Sequence, residues 1–112
     1  MANPLPDEVQ DMAQAEPLQR NPVRGGYSDL SVDDEDVKMM ADFAVASMNE
    51  RENSKLTLVQ ITAAARQVVA GSNYKLKMNL LQADGDVRSC EVIIFDQPWT
   101  NTRKLSQISC IL

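Results

Sequence analysis

Two extended segments flank the short stretch at residues 67–72, and this arrangement constrains the fold more than any other feature of the sequence. Residues 55–66 are rich in aliphatic and β-branched residues, which favour strands. In residues 73–80 apolar and polar residues alternate strictly, as they do in a half-buried strand. Two such strands joined by a short segment with one glycine predict a β-hairpin. The apolar set of the second strand consists of Tyr74, Leu76, Met78 and Leu80.

The tip of this hairpin is unusually apolar. Hairpin tips are usually polar, whereas this one carries Val68, Val69 and Ala70 before Gly71. Exposed apolar side chains on a rigid hairpin indicate a contact surface for another molecule. The alternative is a tip that folds back onto the core of its own domain.

A helix is predicted upstream of the hairpin. Ser31, followed by Asp34 three residues later, resembles a capping box, and the neighbouring carboxylates suit the positive end of a helix dipole. Apolar residues then recur at spacings of three and four, which predicts a stripe facing the core. The helix is expected to end between residues 49 and 53, where polar residues accumulate. The stripe consists of Val37, Met40, Ala41, Ala44 and Met48.

Two more strands are predicted after the hairpin. Asp84-Gly85 favours a tight turn, so residues 87–95 should run antiparallel to the preceding strand. The next turn contains Pro98-Trp99 and centres near Thr100, and residues 104–112 form the last strand. The sequence therefore predicts an α+β domain, in which one long helix is wrapped by an antiparallel meander of four to five strands. Four of these strands can be placed in the sequence.

The two cysteines fall on the last two predicted strands. Cys90 and Cys110 are symmetric about Thr100, and residues placed symmetrically about a hairpin turn lie opposite each other. Their sulfur atoms should then be close enough for a disulfide, on a face shared with core residues. A disulfide predicts an oxidising compartment, and two buried free thiols in a cytosolic protein are the alternative.

Composition argues against several classes of function. The net charge of −5 argues against nucleic-acid binding, and no apolar run reaches membrane-spanning length. The chain has no histidine, so it lacks both an imidazole base and the commonest metal ligand. We therefore expect that the protein is not an enzyme and that it binds neither a metal nor a cofactor. The lack of a histidine base also argues against a hydrolase that uses Cys90 or Cys110 as its nucleophile.

The N-terminal region differs from the rest of the chain. Residues 1–24 are rich in proline and carboxylates and are expected to form a flexible tail before a single domain at residues 25–112. The first residues lack the basic and apolar regions of a signal peptide. The protein is then either cytoplasmic or a mature form with an added start.

Three parts of the chain, in order, resemble the cystatins, a family of inhibitors of papain-like cysteine proteases. The family's Gln-x-Val-x-Gly motif is matched at residues 67–71, and its Pro-Trp is matched by Pro98-Trp99. Its N-terminal glycine is best matched by Gly25, and residues 42–45 of the helix are similar too. The resemblance covers residues 25–112 and includes the cysteine spacing around Pro-Trp.

The resemblance implies a wedge that blocks a protease cleft without reacting. The two hairpin tips would enter the primed side of the cleft and cover the catalytic cysteine of the protease. The segment before Gly25 would lie in the non-primed subsites, with Gly25 holding the backbone away from the thiolate. Val68, Val69 and Trp99 would be the main anchors, while Gln67 braces the loop. The implied protease-binding residues are Val23, Arg24, Gly25, Gln67, Val68, Val69, Ala70, Gly71, Pro98 and Trp99.

The chain also departs from the family pattern. Secreted single-domain cystatins usually carry two disulfides and the small intracellular stefins carry none, whereas only the C-terminal pair is matched here. The chain therefore resembles a secreted-type cystatin of a divergent branch and is expected to be extracellular. Arg24 stands where the family often has an apolar residue, which would disfavour proteases with a purely hydrophobic pocket there.

Four further expectations follow from the resemblance and the tip. Some cystatins inhibit legumain, an asparagine-specific protease, through an asparagine after the helix, which Asn53 matches here; the alternative is a helix cap. The chain could instead be a cystatin-like carrier module that no longer inhibits. It is expected to be a monomer. Straightening of residues 67–71 would produce an inactive, domain-swapped dimer.

Overall fold

One helix packs across one face of a five-stranded antiparallel sheet in the computed structural model, which describes residues 26–111. The strands lie in the sheet in their chain order, so the predicted α+β meander is confirmed. None of the helices in this part of the chain is long and apolar enough to cross a membrane. The elements are β1 (Ser28–Leu30), α1 (Glu35–Glu52), β2 (Thr57–Val69), β3 (Gly71–Leu81), β4 (Val87–Gln97), a short 3₁₀ helix (Pro98–Thr100) and β5 (Thr102–Ile111).

Helix α1 begins at a cap formed by Asp34 rather than by Ser31. The Asp34 carboxylate accepts hydrogen bonds from the backbone N–H groups of Asp36 at 2.8 Å and Val37 at 3.3 Å. The Ser31 hydroxyl accepts a hydrogen bond within the preceding turn instead. Asn53 ends the helix in the left-handed region, with φ of 52°. The predicted C-terminal end of the helix is confirmed, whereas the capping residue and the start of the helix lie three positions later than predicted.

The core lies between α1 and the facing side of the sheet. The five residues predicted for the helix stripe are the buried residues of α1. The four apolar residues predicted for one face of β3 are buried as well. Val92 and Ile94 of β4 and Leu105 of β5 belong to the same core. Burial on one face specifies the register, because a slip of one residue would turn the apolar set of a strand towards solvent.

Strand β1 is the element that could not be placed from the sequence. Its three residues pair antiparallel with β2, with Ser28 opposite Arg66 and Leu30 opposite Ala64. A strand this short shows too little alternation to be recognised as a pattern. Because β1 is antiparallel to β2, the N-terminal end of β1 lies nearer to the tip of the β2–β3 hairpin than its C-terminal end does.

Cys90 and Cys110 form the predicted disulfide, with an S–S distance of 2.06 Å. They lie opposite each other on β4 and β5, as predicted. The pairing nearer the turn is displaced by one residue, with Gln97 opposite Thr102, because β5 carries a bulge. The two cysteines share one face of the sheet with core residues, but only one of them is buried. Cys90 is buried, whereas Cys110 is exposed, since β5 is the edge strand of the sheet.

Candidate functional site

The tips of the β2–β3 and β4–β5 hairpins lie at the same end of the sheet and contact each other. Strand β2 continues to Val69 and β3 begins at Gly71, so Ala70 is the one residue between the strands at the first tip, which comprises residues 68–71. The second tip is the 3₁₀ helix Pro98–Thr100. A hydrogen bond of 2.7 Å from Nε2 of Gln97 to the carbonyl oxygen of Ala70 joins the two tips.

Apolar side chains are exposed on both tips. Trp99 is 69% exposed, Val68 63% and Val69 43%, and Pro98 is exposed beside Trp99. We call these four residues the apolar rim. Such exposure excludes the alternative in which the first tip folds back onto the core. An apolar surface of this kind on ordered elements is typical of a site that binds another protein.

A hollow of about 560 Å³ lies under the rim and brings the two tips onto one surface. All four residues of the rim line it. Its floor comes from the helix-facing side of the sheet, where Arg66 and Tyr74 lie opposite each other on β2 and β3. Met39 and Asp36 of α1 close it on the helix side. Of the residues predicted for the two tips, Val68, Val69, Gly71, Pro98 and Trp99 therefore line one continuous hollow.

Gly71 is required at the first tip for two separate reasons. Its φ of +114° lies in a region that residues with a Cβ rarely adopt. A Cβ at this position would lie 2.8 Å from the backbone oxygen of Asp96 and 3.2 Å from the ring of Phe95. The predicted bend is thus present, and the glycine also allows β4 to approach the tip closely.

Gln67 lies one step back from the tip, opposite Asn73 on β3. The Nδ2 of Asn73 donates a hydrogen bond of 2.9 Å to Oε1 of Gln67. This contact ties the two strands together just before they turn. It supports the bracing role predicted for Gln67.

The charged side chains of the hollow balance one another. Two acidic residues, Asp36 and Asp96, and two basic residues, Arg66 and Arg103, line it. Nε of Arg103 donates to the Asp96 carboxylate at 2.9 Å, and the guanidinium lies 6.0 Å from the centre of the Phe43 ring. The site therefore offers apolar contact area rather than a strong field of either sign.

Two tyrosines near the site have raised pKa values. Burial raises the pKa of Tyr74, and the opposing effect of the Arg66 charge is smaller. Burial also raises the pKa of Tyr27, with a further contribution from Glu91. Both phenols therefore stay neutral at physiological pH. Nζ of Lys75 lies 4.3 Å from the centre of the Tyr27 ring, which fixes the chain where it enters β1.

The N-terminal part of the predicted site lies outside the described residues. This applies to Val23, Arg24 and Gly25 and to the predicted tail at residues 1–24. Gly26, the first described residue, is exposed and precedes β1.

Asn53 lies at the opposite end of the molecule from the rim. The neighbouring Glu52 forms an ion pair of 3.0 Å with Arg88, which follows the β3–β4 turn. Asn53 is exposed, and its backbone N–H donates to the carbonyl oxygen of Asn49. Asparagine is favoured in the left-handed conformation found here, so capping of α1 accounts for this residue. Legumain binding through Asn53 stays a prediction.

Gln97 is the residue joining the two tips, and the sequence did not single it out. Its contacts connect two tips that are 27 residues apart, and nothing in the local sequence indicates such a connection. Its position directly before Pro98-Trp99 was the only available signal. Within residues 26–111, no three residues of the His, Cys, Asp or Glu types are grouped so that they could hold a metal ion.

Comparisons with known proteins agree on one family. A family model described as SQAPI, aspartic acid proteinase inhibitor, matches residues 30–110. Cysteine proteinase inhibitor 5 of Arabidopsis thaliana is 36% identical over 83 residues, which cover 73% of this chain and 68% of that protein. Cysteine proteinase inhibitor 6 of Oryza sativa subsp. japonica is 35% identical over 83 residues, covering 71% of this chain and 74% of that protein.

Solved structures show the same fold. The salivary cystatin of the soft tick Ornithodoros moubata superimposes with a TM-score of 0.70 at 22% identity, covering 80% of this chain and all of that one. The relatives are inhibitors, which confirms the prediction that the chain is not an enzyme. This chain belongs to the cystatin family of proteinase inhibitors.

Proposed function

We propose that this protein is a reversible, tight-binding and non-covalent inhibitor of papain-like cysteine proteases of the cathepsin type. The observation that carries the proposal is the apolar rim, in which exposed Val68, Val69 and Trp99 stand on two tips bonded to each other. Such a preformed surface loses little conformational entropy on binding, so most of the apolar burial contributes to affinity. The names of the plant relatives support the same target class.

In the proposed mechanism the rim enters the primed side of the protease cleft and covers the catalytic cysteine. Val68, Val69 and Trp99 supply contact area, and Gln67 and Gly71 maintain the shape of the first tip. The segment containing Val23 and Arg24 would occupy the non-primed subsites, and Gly25 would keep the backbone away from the thiolate. The antiparallel pairing of β1 with β2, which places the N-terminal end of β1 nearest the β2–β3 tip, supports this arrangement.

A second target class is favoured by one observation. The matching family model is described as an aspartic acid proteinase inhibitor, although the two plant relatives are cysteine proteinase inhibitors. An uncharged apolar rim fits an apolar cleft of either class. We favour cysteine proteases because both tip motifs of the cystatin resemblance are complete in this chain and carry the exposed Val68, Val69 and Trp99.

The test is an inhibition assay of the full chain against papain and pepsin, repeated with the variant Val68→Asp/Val69→Asp. We expect inhibition of papain, and a rise of roughly 100-fold or more in its inhibition constant for the variant, because two carboxylates would have to be desolvated on binding. Val59→Asp is the matched control. Val59 is 58% exposed on the same strand but lies away from the tip, so this change should leave inhibition unaltered.

Each of the remaining outcomes of this assay would contradict one part of the proposal. Inhibition of pepsin without inhibition of papain would assign the protein to the second target class. Inhibition of neither protease would favour a carrier module that no longer inhibits. Papain inhibition that survives the double substitution unchanged would show that the rim does not bind the protease.

The disulfide supports action in an oxidising compartment, such as the outside of the cell. Protein isolated without reductant and titrated after unfolding should then show no free thiol. Two reactive thiols per chain would contradict the extracellular location that we propose.

A further inference from the structure

We infer that Gln97 is a positioning residue, whose side chain holds the two hairpin tips in the relative arrangement that fits a protease cleft. This inference rests on the proposed function and adds to it the residue that sets the geometry of the rim. Gln97 is the last residue of β4, directly before the second tip.

The side-chain amide of Gln97 uses both of its ends. Its Nε2 donates to the Ala70 carbonyl oxygen at 2.7 Å, and its Oε1 accepts a hydrogen bond from the Thr100 hydroxyl at 2.6 Å. The Thr100 and Thr102 hydroxyl oxygens are 2.8 Å apart. If Thr100 donates to Gln97, its oxygen accepts from Thr102. The Gln97 side chain therefore contacts the second tip at one end and the first tip at the other.

The Ala70 carbonyl accepts this hydrogen bond at the exposed first tip. Val69 and Gly71 are paired, so Ala70 is the one residue of the turn and its carbonyl lies outside the strand ladder. The ladder between β3 and β4 ends at the pair Ser72–Asp96. Beyond this pair, the Gln97 side chain spans the gap between the tips.

Gly71 makes room for this contact. A Cβ at Gly71 would lie 3.3 Å from the Cβ of Gln97, besides its closer approach to the Asp96 oxygen. The glycine of the first tip and the glutamine before the second tip therefore belong to one arrangement. Without the Gln97 amide each tip would keep its own shape, but their relative position would have to be fixed at the moment of binding, which lowers affinity.

The experiment compares Gln97→Met and Gln97→Glu with the parent chain as papain inhibitors. Gln97→Met keeps the length of the side chain and removes both polar ends, whereas Gln97→Glu removes the donor and keeps the acceptor for Thr100. For both variants we expect the inhibition constant to rise roughly 5- to 10-fold, with little change in the urea midpoint. Gln107→Met, at an exposed glutamine of β5 away from the tips, is the matched control and should behave like the parent.

A second readout reports on position rather than on folding. Trp99 is the only tryptophan of the chain, so fluorescence anisotropy decay of the free protein follows the second tip alone. We expect faster local depolarisation in Gln97→Met and no change in Gln107→Met. A weaker inhibitor with unchanged anisotropy decay and a lowered urea midpoint would overturn the inference, because Gln97 would then act only through stability.

The variant Trp99→Ala separates this inference from the proposed function. If the parent does not inhibit papain, the proposed function fails, and if Trp99→Ala inhibits papain as well as the parent does, the rim is not the binding surface. If Trp99→Ala loses inhibition while both Gln97 variants match the parent, the function stands and the positioning role of Gln97 is overturned.

Discussion

At Gly71 the backbone has a φ of +114° and passes so close to β4 that an added Cβ would lie 2.8 Å from the Asp96 carbonyl oxygen. Gly85, in the β3–β4 turn, also has a positive φ of +94°, but nothing lies within 4 Å of the position of its missing Cβ. The two glycines therefore differ in one respect. Both relieve backbone strain, and only Gly71 also provides space for a neighbouring strand.

We predict that Gly71→Ala lowers the free energy of unfolding more than Gly85→Ala does. Gly85→Ala should cost about 1–2 kcal/mol from its backbone conformation alone. Gly71→Ala should cost about 1–3 kcal/mol more, because the Cβ meets backbone atoms that cannot move away cheaply. Urea denaturation of both variants, with the disulfide intact, measures the difference. Equal losses would contradict the close approach of β4 to the tip.

The sequence predicts the bend at Gly71 but not its contact with β4. A glycine between two strand patterns is a local signal, and local signals can be read without the fold. The approach of Asp96 to Gly71 depends on the register of β3 against β4, which is set by burial along the whole strand pair. The role of Gln97 could not be predicted for the same reason, because its partner Ala70 is distant in the sequence.

Among the elements, α1 was predicted most completely because its pattern is local. The buried stripe repeats at the period of a helix and needs no tertiary information. The cap was misplaced because four good capping residues, Ser31, Asp33, Asp34 and Asp36, lie within six positions of one another. Only the backbone, which leaves the helical conformation at Asp34, selects among them.

We predict that Asp34→Ala destabilises the protein by about 1 kcal/mol, because two backbone N–H groups lose their acceptor. Ser31→Ala should cost less, since its hydroxyl serves only the turn before the helix. Asp33→Ala removes the same charge from the same turn and controls for the helix dipole. Free energies of unfolding from urea titrations rank the three variants. A larger loss of unfolding free energy for Ser31→Ala than for Asp34→Ala would contradict the Asp34 cap and favour the capping box predicted from the sequence.

The apolar rim and the disulfide lie at opposite ends of the sheet. The apolar rim lies at the end where the first and third hairpins turn, and the disulfide lies near the far end of β4 and β5. The order of the meander could be predicted because each connection is a short local turn. The exposure of Cys110 could not, because it depends on β5 being the edge strand, which no local pattern indicates.

This separation predicts that the disulfide contributes to stability but not to inhibition. The bridge spans 20 residues of sequence, so Cys90→Ser/Cys110→Ser should lower the free energy of unfolding by about 3 kcal/mol. The geometry of the rim is set locally, by the Gln97–Ala70 contact and the β3–β4 ladder, so the inhibition constant for papain should change by less than about 3-fold. Urea denaturation and papain assays well below the melting temperature measure the two quantities. If the inhibition constant rises together with the loss of stability, the disulfide also positions the Pro98-Trp99 tip, because that tip lies within the loop that the bridge closes.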